Sequence, residues 1–210
     1  FAHASTGAFN LHASLLPAFR GAAPINRAIM EGATETGVTT FLLQKSVDTG
    51  PIILQKGTHI GPNETAGELH DRLKMIGATA VVETVETLES GDYEPIPQDE
   101  SKASYAAKIH REDCRIPWQE SAKRVHNHIR GVSPYPGAWT MHGDTMLKIY
   151  RSRRTSRRSD RPAGTIVTAN GELVVACSTG CIEITELQQP GGSVLGVEDF
   201  LNGYELNVGE

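Results

Sequence analysis

The chain has 210 residues, of which 39% are hydrophobic and 21% charged, a composition typical of a globular protein with one large domain or two smaller ones. No apolar run is long enough to span a membrane, and glycine and proline are too few for a collagenous or low-complexity chain. Residues 1–100 carry a net charge of −7 and residues 101–210 a net charge of +2, which suggests two domains with different partners. Three cysteines, an odd number, argue against a secreted disulfide scaffold, so we expect a cytoplasmic protein.

The first half of the chain alternates between strand and helix signals, which favours an α/β layer. Proline and glycine punctuate the connections, and Asp48-Thr49-Gly50 is a turn. In chain order, we predict a strand at residues 7–13, a helix at 25–31, strands at 37–45 and 51–56, and a long amphipathic helix between 63 and 91.

The second half reads mainly as short strands, after a Pro-containing polar segment that predicts a linker over residues 95–111. A helix is expected at 119–129 and another at 197–201, and Asn170-Gly171 is a hairpin signal. The strands are predicted at residues 138–141, 146–150, 164–168, 172–177 and 181–187. Several short strands joined by turns fit a small β-barrel, so we divide the chain into domains at 1–94 and 112–210.

Asn10 and His12 are the first candidates for chemistry, because alternate residues of a strand share a face. They could be only a hydrogen-bonded pair at a strand end, but the loop that follows is where α/β sheets bind ligands. Asp48 could be only a turn residue. Near a histidine, however, its carboxylate would orient the imidazole, and the imidazole with the Asn10 amide could stabilise an oxyanion and move a proton.

Three motifs together resemble the signature of the folate-dependent formyltransferases. They are Phe-Asn-Leu-His-Ala-Ser-Leu-Leu-Pro at residues 9–17, Arg-Gly-Ala-Ala-Pro at 20–24 and Val-Asp-Thr-Gly at 47–50. In the second half, the segments at 116–118, 133–139 and 187–192 resemble the C-terminal domain of the branch that formylates charged initiator tRNA. The resemblance covers essentially the whole chain.

The resemblance implies an α/β plus β fold: the C-terminal half of a Rossmann-like formyltransferase domain, followed by a small OB-like β-barrel domain. Members of the family begin with the other half of the Rossmann-like domain, so we expect the 210 residues to be a fragment. The implied reaction transfers a formyl group from 10-formyltetrahydrofolate to the α-amino group of methionyl initiator tRNA for translation initiation, with no metal.

The resemblance also implies residue roles. Asn10 and His12 would stabilise the tetrahedral oxyanion, and Asp48 would hold His12 and help to relay the proton. The residues expected to line the folate site are Ser14, Leu15, Leu16 and Pro17.

Six arginines lie within residues 151–161, and they predict a mobile basic loop that binds RNA backbone, although such charge runs are often only solvated surface. The residues expected to contact tRNA are Arg20, Lys123, Arg130, Lys148, Arg151, Arg153 and Arg154.

Two alternatives stay open. One is a formyltransferase acting on a small amine such as an amino sugar nucleotide, against which the barrel and its arginines argue. The other is an RNA-binding module whose catalytic half is inactive, which the expected missing segment keeps open. As partners we expect folate and charged initiator tRNA, with no DNA or membrane partner, and a monomer when the chain is complete.

Overall fold

The computed structural model describes residues 8–210, whose contacts divide into two compact units. Residue 7, where the first strand was expected to begin, lies outside the described residues. The first unit takes in residues up to 28 together with 33–62 and 68–108, and the second takes in 29–32, 63–67 and 109–210. Within residues 8–210 no helix combines the length and the apolarity that a membrane span requires.

The strands and helices predicted in the first half are present, with boundaries shifted by a few residues. The elements are β1 (Phe9–His12), β2 (Arg20–Gly21), α1 (Pro24–Glu31), β3 (Glu35–Leu42), β4 (Ile52–His59), α2 (Ala66–Ser90) and β5 (Tyr105–Ala106). The main sheet has the order β1-β3-β4, and both of its strand pairs are antiparallel. Among the named strands of residues 8–210, the only parallel pair is the short β2–β5 ladder.

Strand β3 is the centre of the first unit, because all of its residues from Thr36 to Phe41 are buried. Phe41 packs with Leu16 and Ile52 in one apolar cluster. Gly37 is required at its position, since a Cβ there would clash with the Lys56 carbonyl oxygen and lie 2.7 Å from Leu15 Cδ2. The close approach of β3 to β4 and to the loop after β1 therefore depends on a missing side chain.

The segment predicted to be a linker is ordered over much of its length. Ile96 exchanges two backbone hydrogen bonds of 2.8 Å with Ile52, a 3-10 turn covers Glu100–Lys102, and β5 pairs with β2. Ala22 and Ala23 both donate backbone hydrogen bonds to the Ala106 carbonyl. This segment, which we call the brace (residues 96–106), thus holds the chain that follows β1.

The second unit contains one antiparallel sheet and two helices. Its elements are α3 (Ala122–Gly131), β6 (Ala138–His142), β7 (Thr145–Thr155), β8 (Ile166–Ala169), β9 (Leu173–Ala176), β10 (Cys181–Gln188), β11 (Leu195–Gly196) and α4 (Val197–Gly203). The strand order is β6-β7-β10-β9-β8, with β11 on β10. The predicted hairpin joins β8 to β9, and Gly171 has a φ of 67° there.

Apolar residues from α3 and alternate residues of the strands form the core of this unit. Val125 and Ile129 of α3 belong to the same cluster as Leu147, Ile182 and Leu187. Ser121 caps α3, its hydroxyl accepting from the Arg124 amide. Because β7 continues to Thr155, three of the arginines expected in a mobile loop lie instead on a strand: Arg151, Arg153 and Arg154.

Candidate active site

His12 and Asp48 meet in a nearly dry environment within the first unit. Their side chains are 8% and 10% exposed, and His12 Nδ1 lies 3.6 Å from Asp48 Oδ2. His12 Nε2 is 2.8 Å from the Phe19 carbonyl oxygen, and the Gly21 amide donates to Asp48 Oδ2 at 2.9 Å. The structure therefore brings together the two residues that the sequence placed 36 positions apart.

The hydrogen-bond partners of His12 indicate which ring nitrogen carries the hydrogen. A carbonyl oxygen only accepts, so the contact with Phe19 requires an N–H at Nε2. The 3.6 Å separation from Asp48 is longer than a hydrogen bond, and it becomes an ion pair when the ring is doubly protonated. Both ring nitrogens thus face protein oxygens. Nε2 can bind a substrate only after its hydrogen bond to the Phe19 carbonyl is broken.

Asn10 presents an available hydrogen-bond donor. It is exposed, and it lies two residues before His12 on β1, so the two share a strand face. Its Oδ1 accepts from the Leu11 amide at 2.9 Å, and the structure records no partner for its N–H groups among residues 8–210. The amide can therefore donate to an oxyanion without breaking a hydrogen bond recorded within residues 8–210.

The turn that carries Asp48 has an unusual backbone. Asp48 has a φ of 55°, in the left-handed region that few side chains adopt. Two residues on, a Cβ on Gly50 would clash with the Leu42 carbonyl oxygen, which explains the glycine of the Asp-Thr-Gly motif. The Gln98 side-chain amide, from the brace, donates to the carbonyls of both Asp48 and Gly50, at 2.9 and 2.7 Å.

Arg20 was expected to contact tRNA, and the structure shows that this is wrong. The residue is 1% exposed, and its guanidinium forms a two-pronged ion pair with Glu100 at 2.9 and 2.7 Å. Two further hydrogen bonds go to Gln98 Oε1. Sequence reasoning missed Gln98 and Glu100, because they lie in the segment taken for a linker, about 80 residues away.

The four residues expected to line the folate site form a tightly tied loop. Ser14 and Leu16 are buried, and the Ser14 hydroxyl donates to the Ala18 carbonyl at 2.5 Å. Their side chains are therefore not available to a ligand, which corrects the expectation for those two. Leu15 and Pro17 are only partly buried and remain candidates.

Carboxylates face most of the β7 arginines. Arg151 pairs with Glu186 at 3.4 Å, Arg153 with Glu183 at 2.6 Å, and beyond the strand Arg157 pairs with Glu172 at 2.6 Å. The neighbouring strand β10 supplies two of these carboxylates, so the basic run is much less positive than its sequence suggests.

The cations expected to contact tRNA thus differ in availability. Arg130 is buried and donates to Asn127 Oδ1 and to the Glu64 carbonyl, both at 3.0 Å, so the expectation of an RNA contact there is wrong. Burial lowers the pKa of its guanidinium. By contrast, Arg154 and Lys123 are exposed and Lys148 is half-buried.

No group of three or more metal-ligating side chains comes together anywhere in residues 8–210. Cys177 and Cys181, which lie four positions apart in the sequence, are buried free thiols.

Family comparisons cover nearly the whole chain. Residues 1–85 match the family described as formyl transferase, and residues 108–205 match formyl transferase, C-terminal domain. The chain belongs to the formyl transferase family. One relative is a protein of Chlorobium chlorochromatii named "Methionyl-tRNA formyltransferase". It is 47% identical over 98% of this chain and 67% of its own length. Another with that name, from Roseobacter denitrificans, is 44% identical over 97% of the chain and 65% of its own length. The chain spans about two thirds of the length of these relatives.

Solved structures of other formyl transferases and of HypX share the fold. HypX from Aquifex aeolicus in complex with tetrahydrofolic acid matches with a TM-score of 0.70 at 18% identity, over 96% of this chain and 38% of that one. The methionyl-tRNA formyltransferase of Clostridium thermocellum matches with a TM-score of 0.56 at 18% identity, over 71% of this chain and 64% of that one. At such identities the likeness establishes the fold alone.

Proposed function

We propose that the polypeptide containing this chain transfers the formyl group of 10-formyltetrahydrofolate to the α-amino group of methionyl initiator tRNA, in the cytoplasm, for translation initiation. The observation that carries the proposal is the buried pair of His12, at the end of β1, with Asp48, together with the exposed side-chain amide of Asn10 on the same strand. It is supported by relatives that are 42–47% identical over nearly the whole chain and named methionyl-tRNA formyltransferase.

In the proposed reaction, the methionyl amine attacks the formyl carbon and a new C–N bond forms. The carbonyl electrons move to oxygen, and the Asn10 amide donates a hydrogen bond to the resulting oxyanion. When the oxyanion collapses, the bond from carbon to N10 of the folate breaks, and the proton lost by the amine is delivered to N10. Tetrahydrofolate and formylated methionyl-tRNA are the products.

His12 and Asp48 are assigned to the proton transfer. When substrate replaces the Phe19 carbonyl, the ring takes the tautomer with its hydrogen on Nδ1, facing Asp48. Its Nε2 then accepts the proton that the amine loses and passes it to N10 of the folate. Asp48, fixed by the Gly21 amide, faces the other ring nitrogen and stabilises the imidazolium that forms. Burial of the pair strengthens this interaction, because little water screens it.

The architecture proposed for this function is part of a Rossmann-like catalytic domain over residues 1–94, a connection at 95–111 and an OB-like RNA-binding domain at 112–210. Leu15 and Pro17 are proposed as folate contacts. The proposed phosphate contacts are the accessible cations Lys123, Lys148 and Arg154, with Arg151 and Arg153 contributing only when RNA phosphates displace their carboxylates.

The proposal is tested with the natural polypeptide that carries this chain, by following formylation of methionyl initiator tRNA. We expect activity in the wild type and a loss of roughly a hundredfold or more in kcat for Asn10→Ala and His12→Ala, with tRNA affinity nearly unchanged. His59→Ala is the matched control, because His59 is an exposed histidine at the end of β4. Equal activities for the two histidine variants would contradict the assigned role.

The amine acceptor is tested separately by offering a nucleotide-linked amino sugar in place of the charged tRNA. An N-formyltransferase of Helicobacter canadensis, solved with folinic acid and dTDP-3-aminofucose, matches this chain with a TM-score of 0.69 at 23% identity. We expect formylation of the charged tRNA and none of the amino sugar. The reverse result would replace the acceptor in the proposal, and tRNA binding without any formyl transfer would favour an RNA-binding module.

A further inference from the structure

The Asp48 turn is fixed by residues that take no part in the proposed chemistry. Gln98 uses both hydrogens of its amide nitrogen on the Asp48 and Gly50 carbonyls. Its oxygen accepts two hydrogen bonds from Arg20, at 3.1 and 2.7 Å. The four bonds leave only one orientation for this amide, because reversing it would set oxygen against two carbonyls and nitrogen against a guanidinium.

Arg20 is itself held by Glu100. Both guanidinium nitrogens at the tip reach the carboxylate, and this hydrogen bonding raises the pKa of Arg20 and lowers the pKa of Glu100. The arginine is almost completely buried, while the Glu100 side chain is 69% exposed. Arg20 is thus a buried cation that needs its partners to be stable in this position.

The same stretch of chain reaches Asp48 from a second side. Gly21, which follows Arg20 in β2, donates its amide to Asp48 Oδ2 at 2.9 Å. The Asp48 backbone and carboxylate are therefore both held by hydrogen bonds from one pair of connected segments, β2 and the brace. A buried charged cluster would be a costly way to hold an ordinary surface turn, since well-packed apolar residues do so as well.

We propose that Gln98, oriented by the Arg20–Glu100 ion pair, is a positioning residue that holds the Asp48 turn in its left-handed conformation and so aims the Asp48 carboxylate at His12. The inference rests on the proposed function for its kinetic consequence. Its structural consequence, the placement of Asp48 against His12, is independent of which amine is formylated.

A double-mutant cycle between Gln98 and Asp48 tests the kinetic consequence. Gln98→Leu removes the four hydrogen bonds at similar volume, and we expect kcat to fall about tenfold or more with little change in KM. In an Asp48→Asn background the same substitution should lower kcat almost no further, because the carboxylate that Gln98 positions is already replaced by a neutral amide. Equal losses in both backgrounds would show a general structural role and overturn the proposal.

The placement of Asp48 is followed without turnover by the 15N shifts of the His12 ring in the unliganded protein. Gln98→Leu and Asp48→Asn are expected to shift these resonances in the same direction. Ser101→Ala is the matched control in the same 3-10 turn, since the hydrogen bond recorded for that hydroxyl within residues 8–210 goes to Asp99. Unchanged ring shifts in Gln98→Leu would refute the positioning role, whereas absence of formyl transfer in the wild type would refute the proposed function alone.

Glu100→Gln is a milder variant should Gln98→Leu unfold. It keeps the oxygen that accepts from Arg20 and removes the charge, so we expect the His12 ring shifts and kcat to change in the same direction by a smaller factor, about two- to threefold in kcat. A folded Glu100→Gln protein with wild-type ring shifts and kcat would contradict the part assigned to the ion pair.

Discussion

A single hydroxyl, that of Thr39, ties together the loop that follows β1. It donates to the Ser14 carbonyl at 2.6 Å and accepts from the Leu16 amide at 3.0 Å and the Gln55 side chain at 2.9 Å. Thr39 is fully buried, so its hydroxyl has no water as a replacement partner. The loop that directly follows His12 is therefore fixed from within the sheet.

Thr39→Val should lower the free energy of unfolding by about 1–3 kcal/mol, because it removes the hydroxyl and leaves buried partners without a hydrogen bond. Urea denaturation followed by circular dichroism measures the loss. Thr36→Val is the matched control on the same strand: the Thr36 hydroxyl is buried with no hydrogen-bond partner recorded in residues 8–210. That change is expected to be neutral or slightly stabilising, and equal losses at the two sites would contradict the argument.

At the scale of elements, the β3–β4 hairpin depends on one of two facing glycines. Gly37 and Gly57 are directly paired across the two strands, but only Gly37 is buried. A Cβ on Gly57 would find its nearest atom 3.9 Å away, whereas one on Gly37 would collide with the Lys56 carbonyl oxygen. The two positions therefore provide a matched comparison within one cross-strand pair.

Gly37→Ala is expected to destabilise the protein by about 1–3 kcal/mol, because backbone and the Leu15 side chain must shift to admit the methyl group. Gly57→Ala should change the midpoint of urea unfolding only slightly. Thermal or urea unfolding of both variants measures the difference in their stability. Unchanged stability of Gly37→Ala would mean that β3 and β4 can move apart at this position without loss of the fold.

Strand β7 carries two arginines that are paired with carboxylates and one, Arg154, for which the structure records no carboxylate partner among residues 8–210. Arg153 and Glu183 form a cross-strand ion pair with two short hydrogen bonds, and this raises the pKa of Arg153. Arg154, its neighbour, is exposed. Because a cation already paired with a carboxylate releases fewer counterions on binding phosphate, the two should differ in their contribution to RNA binding.

If this strand contacts RNA, Arg154→Ala should weaken tRNA binding and reduce the slope of log affinity against log salt concentration by about 1. Arg153→Ala should change the slope by less than half as much. Filter binding or anisotropy titrations over a range of salt concentrations measure both. Equal slopes for the two variants and the wild type would place the RNA-binding surface elsewhere.

The sequence was a good guide to local structure and a poor one to contacts made over long separations. Proline at its start and glycine after its end marked α1, and the alternation on β1 placed Asn10 and His12 on one face. Asp48 was identified through its motif. No local pattern indicated Gln98 and Glu100, because the β2–β5 ladder that delivers them joins segments about 80 residues apart. The carboxylates opposite the arginines were missed for the same reason.

At the scale of the molecule, the three cysteines report on the integrity of the second unit. Cys114 and Cys177 belong to its main apolar cluster, and Cys181 begins β10. All three are free and buried. Burial raises the pKa of the Cys177 thiol to about 12 and also raises the pKa of Cys181. At neutral pH these groups are therefore thiols that have no access to solvent.

We therefore expect a thiol reagent such as Ellman's reagent to label the three cysteines of this chain only slowly at pH 8, and to label all three at once in concentrated guanidinium chloride. Labelling should follow unfolding as measured by circular dichroism across a guanidinium titration, since release of Cys177 and Cys181 requires the β9–β10 pair to separate. Cys114→Ser, with two labelled thiols after unfolding, identifies the remaining pair. Rapid labelling of the native protein would mean that the sheet opens well below the global transition. A denatured count of one thiol in the wild type, and of none in Cys114→Ser, would mean that Cys177 and Cys181 are disulfide-linked.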